Sequence, residues 1–477
     1  MARENTLLIF ALTLVFLLVY SPHFDYLYPF HVDEWHHIES GVKLGNEHVE
    51  FMEIGFDLVI HVLAKFVNIV RVYPYLPALF AVFSSFVLYY YLRKKSLIAA
   101  FIAIALFALL PSNVNLLGIW FFVPLTMAIP FFYLSLFMFE EGLNKEKNKK
   151  LLISIISAAF VFIVHPPTAA VMILAMFFIA LKEKKLKKLL LEKKKNLIYI
   201  SILALPPLLF FILFWRKEGL IQTLIFFSGY LVFTKGFSVF HFYMNPVLMF
   251  GIIPTIFAVI GLIKSLKIKK LQVFSFILLF SSINLIIFTF FDVTFVAHYQ
   301  RVLYHFFLAA VPLAGIGFVV VYNSIKKLIN KNTLKIGMLG IMVLLTIMPN
   351  ILSYYKLHEQ AQLYVLVQKE EFPALEFIRA LPGKKTNVLV PLRIGSVLYT
   401  MTGKEPLSKI YWFRDWGRDE VIDFYEEEGC EYKESVITNR KFEYVLSFDK
   451  INCSFLTMMY DDNTSYVYSV DESLIQT

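Results

Sequence analysis

Charge is what this chain has least of. Only 17 % of its 477 residues are Asp, Glu, Lys or Arg, against about 25 % in an average soluble domain. That shortage excludes an ordinary soluble protein, and a 58 % hydrophobic, 17 % aromatic composition points to the membrane instead. Cysteine is almost missing: Cys430 and Cys453 are the only two, both near the C-terminus. They admit a disulfide if that region is extracellular, and equally a pair of buried thiols. The sequence has no internal repeat, no low-complexity tract, no P-loop and no dinucleotide fingerprint, so nothing in it signals a nucleotide site. The missing inverted repeat and the scarcity of charge in mid-span argue against a transporter or lipid flippase.

The charge that is present is sorted. A formal net charge of +9 suggests nucleic acid at first sight, but residues 356–477 hold 14 basic and 20 acidic residues. The basic surplus therefore lies in the first 355 residues, mostly in short Lys-rich loops at 93–95, 144–150, 182–195, 264–270 and 326–327. That is the pattern of cytoplasmic loops, and no nucleic-acid partner is expected. Apolar runs at 6–20, 72–92, 97–113, 118–139, 197–215, 246–263, 271–291, 302–322 and 335–355, with two short ones flanking His165-Pro166-Pro167, are read against the ~20 residues that a membrane helix needs. They predict a polytopic α-helical protein of about 11 spans in the plasma membrane. The N-terminus falls inside as an uncleaved anchor, and every Lys-rich loop falls on one side.

The expected division is a membrane module over 1–355 and an extracytoplasmic α/β domain over 356–477. In the latter, helical patterns at 370–380 and 419–428 alternate with strand patterns at 386–391, 442–448 and 464–470. The first external loop covers 21–71. Within it, Asp57, His61, Lys65 and Asn68 recur at helical spacing, predicting an amphipathic helix over 55–71 lying in the interface.

That loop opens with the most chemically dense stretch of the chain, Phe30-His31-Val32-Asp33-Glu34-Trp35-His36-His37-Ile38-Glu39. A solvated loop is the plain reading of such a stretch. Its position, where the first span meets water in a chain poor in charge, favours chemistry. Outside the cell a sugar donor is lipid-linked, and transfer from a polyprenyl phosphate needs a carboxylate base and groups that hold the leaving phosphate. Asp33 fits the base, with Glu34 sharing the role or orienting the sugar. On an extended loop the two adjacent side chains point apart, so one alone faces the reacting atom. His36, His37 and Glu39 are candidates around the substrate. Neighbouring His side chains diverge, so no metal and no other cofactor is expected. At the outer end of a later span, His298, Tyr299, Arg301 and Tyr304 are candidates for the lipid phosphate, with His305 beside them, although an Arg at a helix lip is often just an anchor. Lys235, His241 and His165 are further candidates.

The motif His31-Val-Asp33-Glu34-Trp-His-His-Ile-Glu39, placed after the first span, resembles the GT-C superfamily of integral membrane glycosyltransferases. It is especially similar to the H-x-D-E-x-x-x-x-E form of its lipid-phosphate-mannose-dependent mannosyltransferases. The resemblance implies Asp33 as general base, His298 and Arg301 near the lipid phosphate, and metal-free transfer of a hexose from a polyprenyl-phosphate or dolichyl-phosphate donor to a lipid, glycan or protein acceptor. Tyr411-Trp412-Phe413-Arg414-Asp415-Trp416-Gly417 is faintly similar to the Trp-Trp-Asp-x-Gly motif of oligosaccharyltransferases, in a different order. The second acidic pair that this metal-dependent branch requires is missing, so oligosaccharyl transfer stands as the alternative. An external tail acting only as a scaffold is a third possibility.

Overall fold

The structure is a computed structural model that describes residues 2–44, 53–113, 116–145, 148–183, 232–234, 245–268, 270–361, 365–382, 387–409, 417–427 and 429–471, and single positions 208, 212, 219 and 473. The expected span at 197–215, Lys235, His241 and residues 411–416 of the aromatic motif lie outside the described residues.

Two compact units emerge. The first contains Met1–Phe24, Glu50–Phe56 and Pro74–Ala361, and the second Asp25–Val49, Asp57–Tyr73 and Gln362–Thr477. In chain order the helices are α1 (Ala2–Tyr20), α2 (Val32–Lys43), α3 (Ile54–Phe66), α4 (Ile69–Val72), α5 (Leu76–Leu92), α6 (Leu97–Ala108), α7 (Pro124–Lys145), α8 (Asn148–Val164) and α9 (Pro166–Lys182). They continue with α10 (Pro246–Phe250), α11 (Ile252–Ile268), α12 (Gln272–Phe291), α13 (Tyr299–Lys326) and α14 (Asn332–Ala361).

The first unit is a helical bundle. Among the described residues, Glu4–His23, Ile69–Leu92, Gln272–Phe291, Tyr299–Lys326 and Asn332–Tyr354 are long and apolar enough to cross a bilayer, and the protein is a multi-pass membrane protein. In α13 83 % of the apolar window is buried, against 17 % in α14, so α13 is the bundle's central helix. Glycine makes its packing possible. A Cβ on Gly317 would stand 1.8 Å from the Phe257 carbonyl oxygen, and one on Gly261 1.9 Å from that of Leu313. Helix backbones in a membrane approach this closely only at small residues.

The runs expected to be helical at 97–113 and 118–139 behave differently. Helix α6 stops at Ala108 and α7 starts at Pro124, and the described residues between them, 109–113 and 116–123, are irregular and buried. Pro111 cannot continue the helix. Backbone groups in such a place need partners, and side chains supply them. The Trp120 N–H donates to Ser112 Oγ (3.2 Å), the Leu116 N–H to Asn113 Oδ1 (2.9 Å), and the Ile119 N–H to the Tyr304 hydroxyl oxygen (3.0 Å). Strand β1 (Val232–Thr234) pairs antiparallel with β2 (Val293–Phe295).

The second unit combines the first loop with the C-terminal segment. Its helices are α15 (Phe372–Ala380), α16 (Leu392–Thr402), α17 (Gly417–Glu426) and α18 (Cys430–Arg440). Its strands are β3 (Asn387–Leu389), β4 (Glu405–Pro406), β5 (Tyr444–Ser447), β6 (Leu456–Asp461) and β7 (Tyr466–Val470). They form one sheet in the order β4-β3-β5-β7-β6, parallel around β3 and antiparallel around β7. Leu389, Phe424, Ile437, Val445, Phe455 and Tyr468 fill the core beside it. Cys430 and Cys453 form a disulfide. Within this unit the Tyr26 hydroxyl donates to the Val367 carbonyl at 2.8 Å, Tyr28 stacks on Phe372 at 3.8 Å, and α2 packs on α16.

Candidate functional site

The acidic couplet does not stand on an extended loop. It occupies the first turn of α2, whose N-cap is His31 in extended conformation. His31 Nδ1 accepts the Asp33 N–H at 3.1 Å, and Glu34 Oε2 accepts the N–H groups of Phe30 (3.0 Å) and His31 (3.1 Å). These reciprocal bonds form a capping box with histidine in the usual Ser/Thr place. Asp33 and Glu34 thus diverge because the helix turns by about 100° per residue, not through strand alternation.

The consequences for the two acids are opposite. Glu34 is fully buried, and its Oε2 accepts two backbone N–H groups of its own helix start. The Asp33 side chain is 45 % exposed, and its nearest ionic neighbour among the described residues is the His31 imidazole at 3.8 Å.

The remaining acids of α2 and α3 are also engaged. Glu39 is buried, 3.1 Å from Lys43 Nζ and in contact with the buried Lys409 ammonium. Lys43 bridges onward to Glu405 at 2.8 Å and lies 3.9 Å from the centre of the Tyr399 ring. Burial would lower the Lys43 pKa, but Glu405 and Glu39 outweigh it and raise it. For Lys409 burial wins, Glu39 opposing, and its pKa falls. Asp57 is buried on α3 and meets His37 Nδ1 at 3.3 Å. His36 lies beside His37, with ring centres 5.6 Å apart.

The amphipathic segment is not one helix. It breaks after Phe66, and Asn68 caps α4 by accepting the Arg71 N–H at 3.3 Å, so it leaves the face expected to carry it. On the polar side of α3, Asp57 takes His37 and His61 Nδ1 contacts the Gly41 carbonyl at 3.0 Å, while Lys65 is exposed. Leu58, Val62 and Phe66 are exposed at a spacing of four residues.

In the first unit, His298 is the N-cap residue of α13 and Tyr299 stacks on Phe288 at 4.3 Å. Burial, helped by the Arg301 charge, brings the His298 pKa down to about 4. His298 is therefore neutral at pH 7, and the formal positive charge at this helix end belongs to Arg301. Tyr304 is wholly buried and accepts the Ile119 amide, which makes it part of the packing of the irregular segment. One turn beyond Arg301, His305 enters a chain that sequence reasoning missed. His305 Nε2 is 2.8 Å from Thr168 Oγ1, which is 2.8 Å from His165 Nδ1, and His165 Nε2 lies 3.9 Å from Glu53 Oε1. The one sequence signal was His165-Pro166-Pro167-Thr168, a cap residue followed by prolines and a hydroxyl at the third helical position.

No protein-family model matches the chain, and no curated protein does. Solved structures do. ArnT from Cupriavidus metallidurans bound to undecaprenyl phosphate aligns with a TM-score of 0.63 at 10 % identity, over 99 % of this chain and 99 % of that one. The Archaeoglobus fulgidus oligosaccharyltransferase in its apo form aligns with a TM-score of 0.58 at 13 % identity, over 93 % of this chain and 69 % of that one. The same archaeal enzyme, AglB, in complex with an inhibitory peptide and a dolichol-phosphate, gives 0.54 at 13 % identity, over 99 % and 75 %. Both neighbours are GT-C membrane glycosyltransferases. The chain has the GT-C fold.

Proposed function

We propose that this protein is a membrane glycosyltransferase that moves a sugar from a polyprenyl-phosphate carrier to an extracytoplasmic acceptor, with Asp33 as general base. The observation that carries this reading is selective exposure. Of the four carboxylates on α2 and α3, Glu34 is used by backbone amides, Glu39 by two lysines and Asp57 by His37, while Asp33 keeps a half-open carboxylate. Asp33 takes the proton of the acceptor hydroxyl as its oxygen attacks the anomeric carbon. The bond from that carbon to the phosphate oxygen breaks, polyprenyl phosphate leaves with the electron pair, and the anomeric configuration inverts.

Arg301 offsets charge on the departing phosphate, with neutral His298 as a hydrogen-bonding neighbour. An apolar groove of about 700 Å³, lined by Leu7, Phe10, Leu14, Phe101, Val343 and Ile347, suits an isoprenoid tail. The GT-C fold supports the same donor class, since its solved neighbours hold undecaprenyl phosphate and a dolichol-phosphate. The sugar is a hexose, the acceptor a lipid, glycan or protein, and no metal is required.

The test uses the full-length protein in proteoliposomes with labelled polyprenyl-phosphate hexoses. Label should pass to an acceptor fraction, and Asp33→Asn should cut the rate by about 100-fold or more without loss of folded protein. Undiminished transfer by that variant would sink the assignment of the base.

A further inference from the structure

The far end of the bundle holds a feature that transfer chemistry does not use. Lys94, Lys95, Lys264, Lys270 and Lys327 line one cleft of about 510 Å³. They come from separate places in the chain: the turn after α5, the C-terminal half of α11, the segment before α12, and the residue after α13. The positive-inside rule explains why lysines lie on this side of the membrane. It asks only for a count, and does not explain why side chains from different loops converge on one cavity, where like charges repel.

The convergence is neutralised only in part: Glu141 pairs with Lys94, and the charge of Glu140 acts on Lys95. Glu141 is occupied by Lys94 at 3.0 Å and by Lys150, and Glu140 accepts the N–H groups of Leu271 (2.7 Å) and Val273 (3.1 Å) at the start of α12. Among the described residues, Lys264, Lys270 and Lys327 have no carboxylate within ion-pair distance. Ser96, the N-cap of α6, also lines the cleft and brings the positive end of that helix to it. Ile316, Val319 and Val320, on the same helix that ends at Lys327, add an apolar part to the lining.

We propose that this cleft binds a phosphate group supplied by the headgroup of an anionic membrane phospholipid. The ammoniums and the helix end recognise phosphate, a chemistry that a lipid and a soluble anion share. Two features favour the lipid. The lysines sit at or within about a turn of the ends of bundle helices, where Lys side chains reach lipid headgroups, and the apolar lining has a use only if glycerol and acyl chain accompany the phosphate. The cleft is separate from the Arg301 region, because Arg301 and Lys327 lie at opposite ends of α13, about 39 Å apart at ~1.5 Å per residue.

The experiment uses the full-length protein, delipidated in detergent, with three probes: phosphatidylglycerol, phosphatidylcholine and inorganic phosphate. Native mass spectrometry and thermal melting should show phosphatidylglycerol retained and Tm raised, and neither effect from the other two. Lys264→Gln/Lys270→Gln/Lys327→Gln should weaken retention at least tenfold, and the corresponding triple Arg variant should keep it. Equal retention by the Gln triple, or an equal Tm rise with inorganic phosphate alone, would overturn the proposal. Should the triple fail to fold, Lys327→Glu alone must weaken retention, and unchanged retention in it counts against the site equally.

Discussion

Thr168 Oγ1 lies 2.8 Å from His165 Nδ1 and 2.8 Å from His305 Nε2, so one hydroxyl group bridges two imidazoles. His165 Nδ1 also accepts the Thr168 N–H at 3.3 Å, which makes it an unprotonated nitrogen. The Thr168 hydroxyl therefore donates to His165, and His305 donates its Nε2–H to Thr168. His165 is left with its Nε2–H directed at Glu53, 3.9 Å away. The two ring tautomers are thus set by one helix cap.

Removing the hydroxyl should be costly because both ring nitrogens are buried. Thr168→Val keeps the shape and takes away the shared partner, and is expected to cost about 1–3 kcal/mol. Thr168→Ser should recover most of that. Thermal unfolding of the detergent-solubilised protein measures both, and a Val variant as stable as the parent would refute the shared bond.

The adjacent acids Asp33 and Glu34 should separate cleanly in function and stability. Glu34→Ala exposes the start of α2 and is expected to cost about 1–2 kcal/mol, while turnover per folded molecule persists. Asp33→Asn should change stability by no more than about 0.5 kcal/mol and abolish turnover. Rates normalised to folded protein, read beside melting curves, distinguish the two. The reverse assignment would show the base to be Glu34.

Glu39 and Lys409 make a third test. Glu39→Gln leaves the buried Lys409 ammonium without its carboxylate, a change worth about 3–5 kcal/mol at buried pairs, less here to the extent that Glu405 takes over. The double variant Glu39→Leu/Lys409→Met removes both charges and should regain much of the loss. A double-mutant cycle on urea or thermal unfolding measures the coupling, and additive effects would mean the two charges do not act as a pair.

Much of this was legible in the sequence, and the exceptions have physical causes. Five of the expected spans, at 6–20, 72–92, 271–291, 302–322 and 335–355, coincide with helices long and apolar enough to cross a bilayer. The broken stretch between α6 and α7 was not visible, because an apolar run reads the same whether its backbone bonds are made within a helix or by Ser112, Asn113 and Tyr304. The acid motif was visible at 33–39, but its division of labour was not. A histidine N-cap is rare enough that His31-Val-Asp33-Glu34 did not read as a helix start, and Glu39 finds Lys409 370 residues away in the chain. The helices α16 and α18 and strand β6 also went unseen, since their short patterns carry little periodicity until the sheet gives them a face to cover.

His298 sets a pH limit on the first unit. Its pKa in the folded protein is about 4, against 6.5 for a free imidazole, with burial the main cause and Arg301 adding to it. The folded value lies below the unfolded one, so the unfolded chain binds the proton first as the medium is acidified. The neutral ring's stabilising contribution is complete above about pH 6.5 and is lost progressively down to about pH 4. His298→Asn, which keeps a polar side chain that does not titrate, should flatten this part of the profile. Melting temperatures taken between pH 7.5 and pH 4 should fall more steeply for the parent than for the variant. Parallel curves would mean that the folded ring takes up its proton as readily as the unfolded one, so that below about pH 6.5 Arg301 shares the positive charge at that end of α13 with His298.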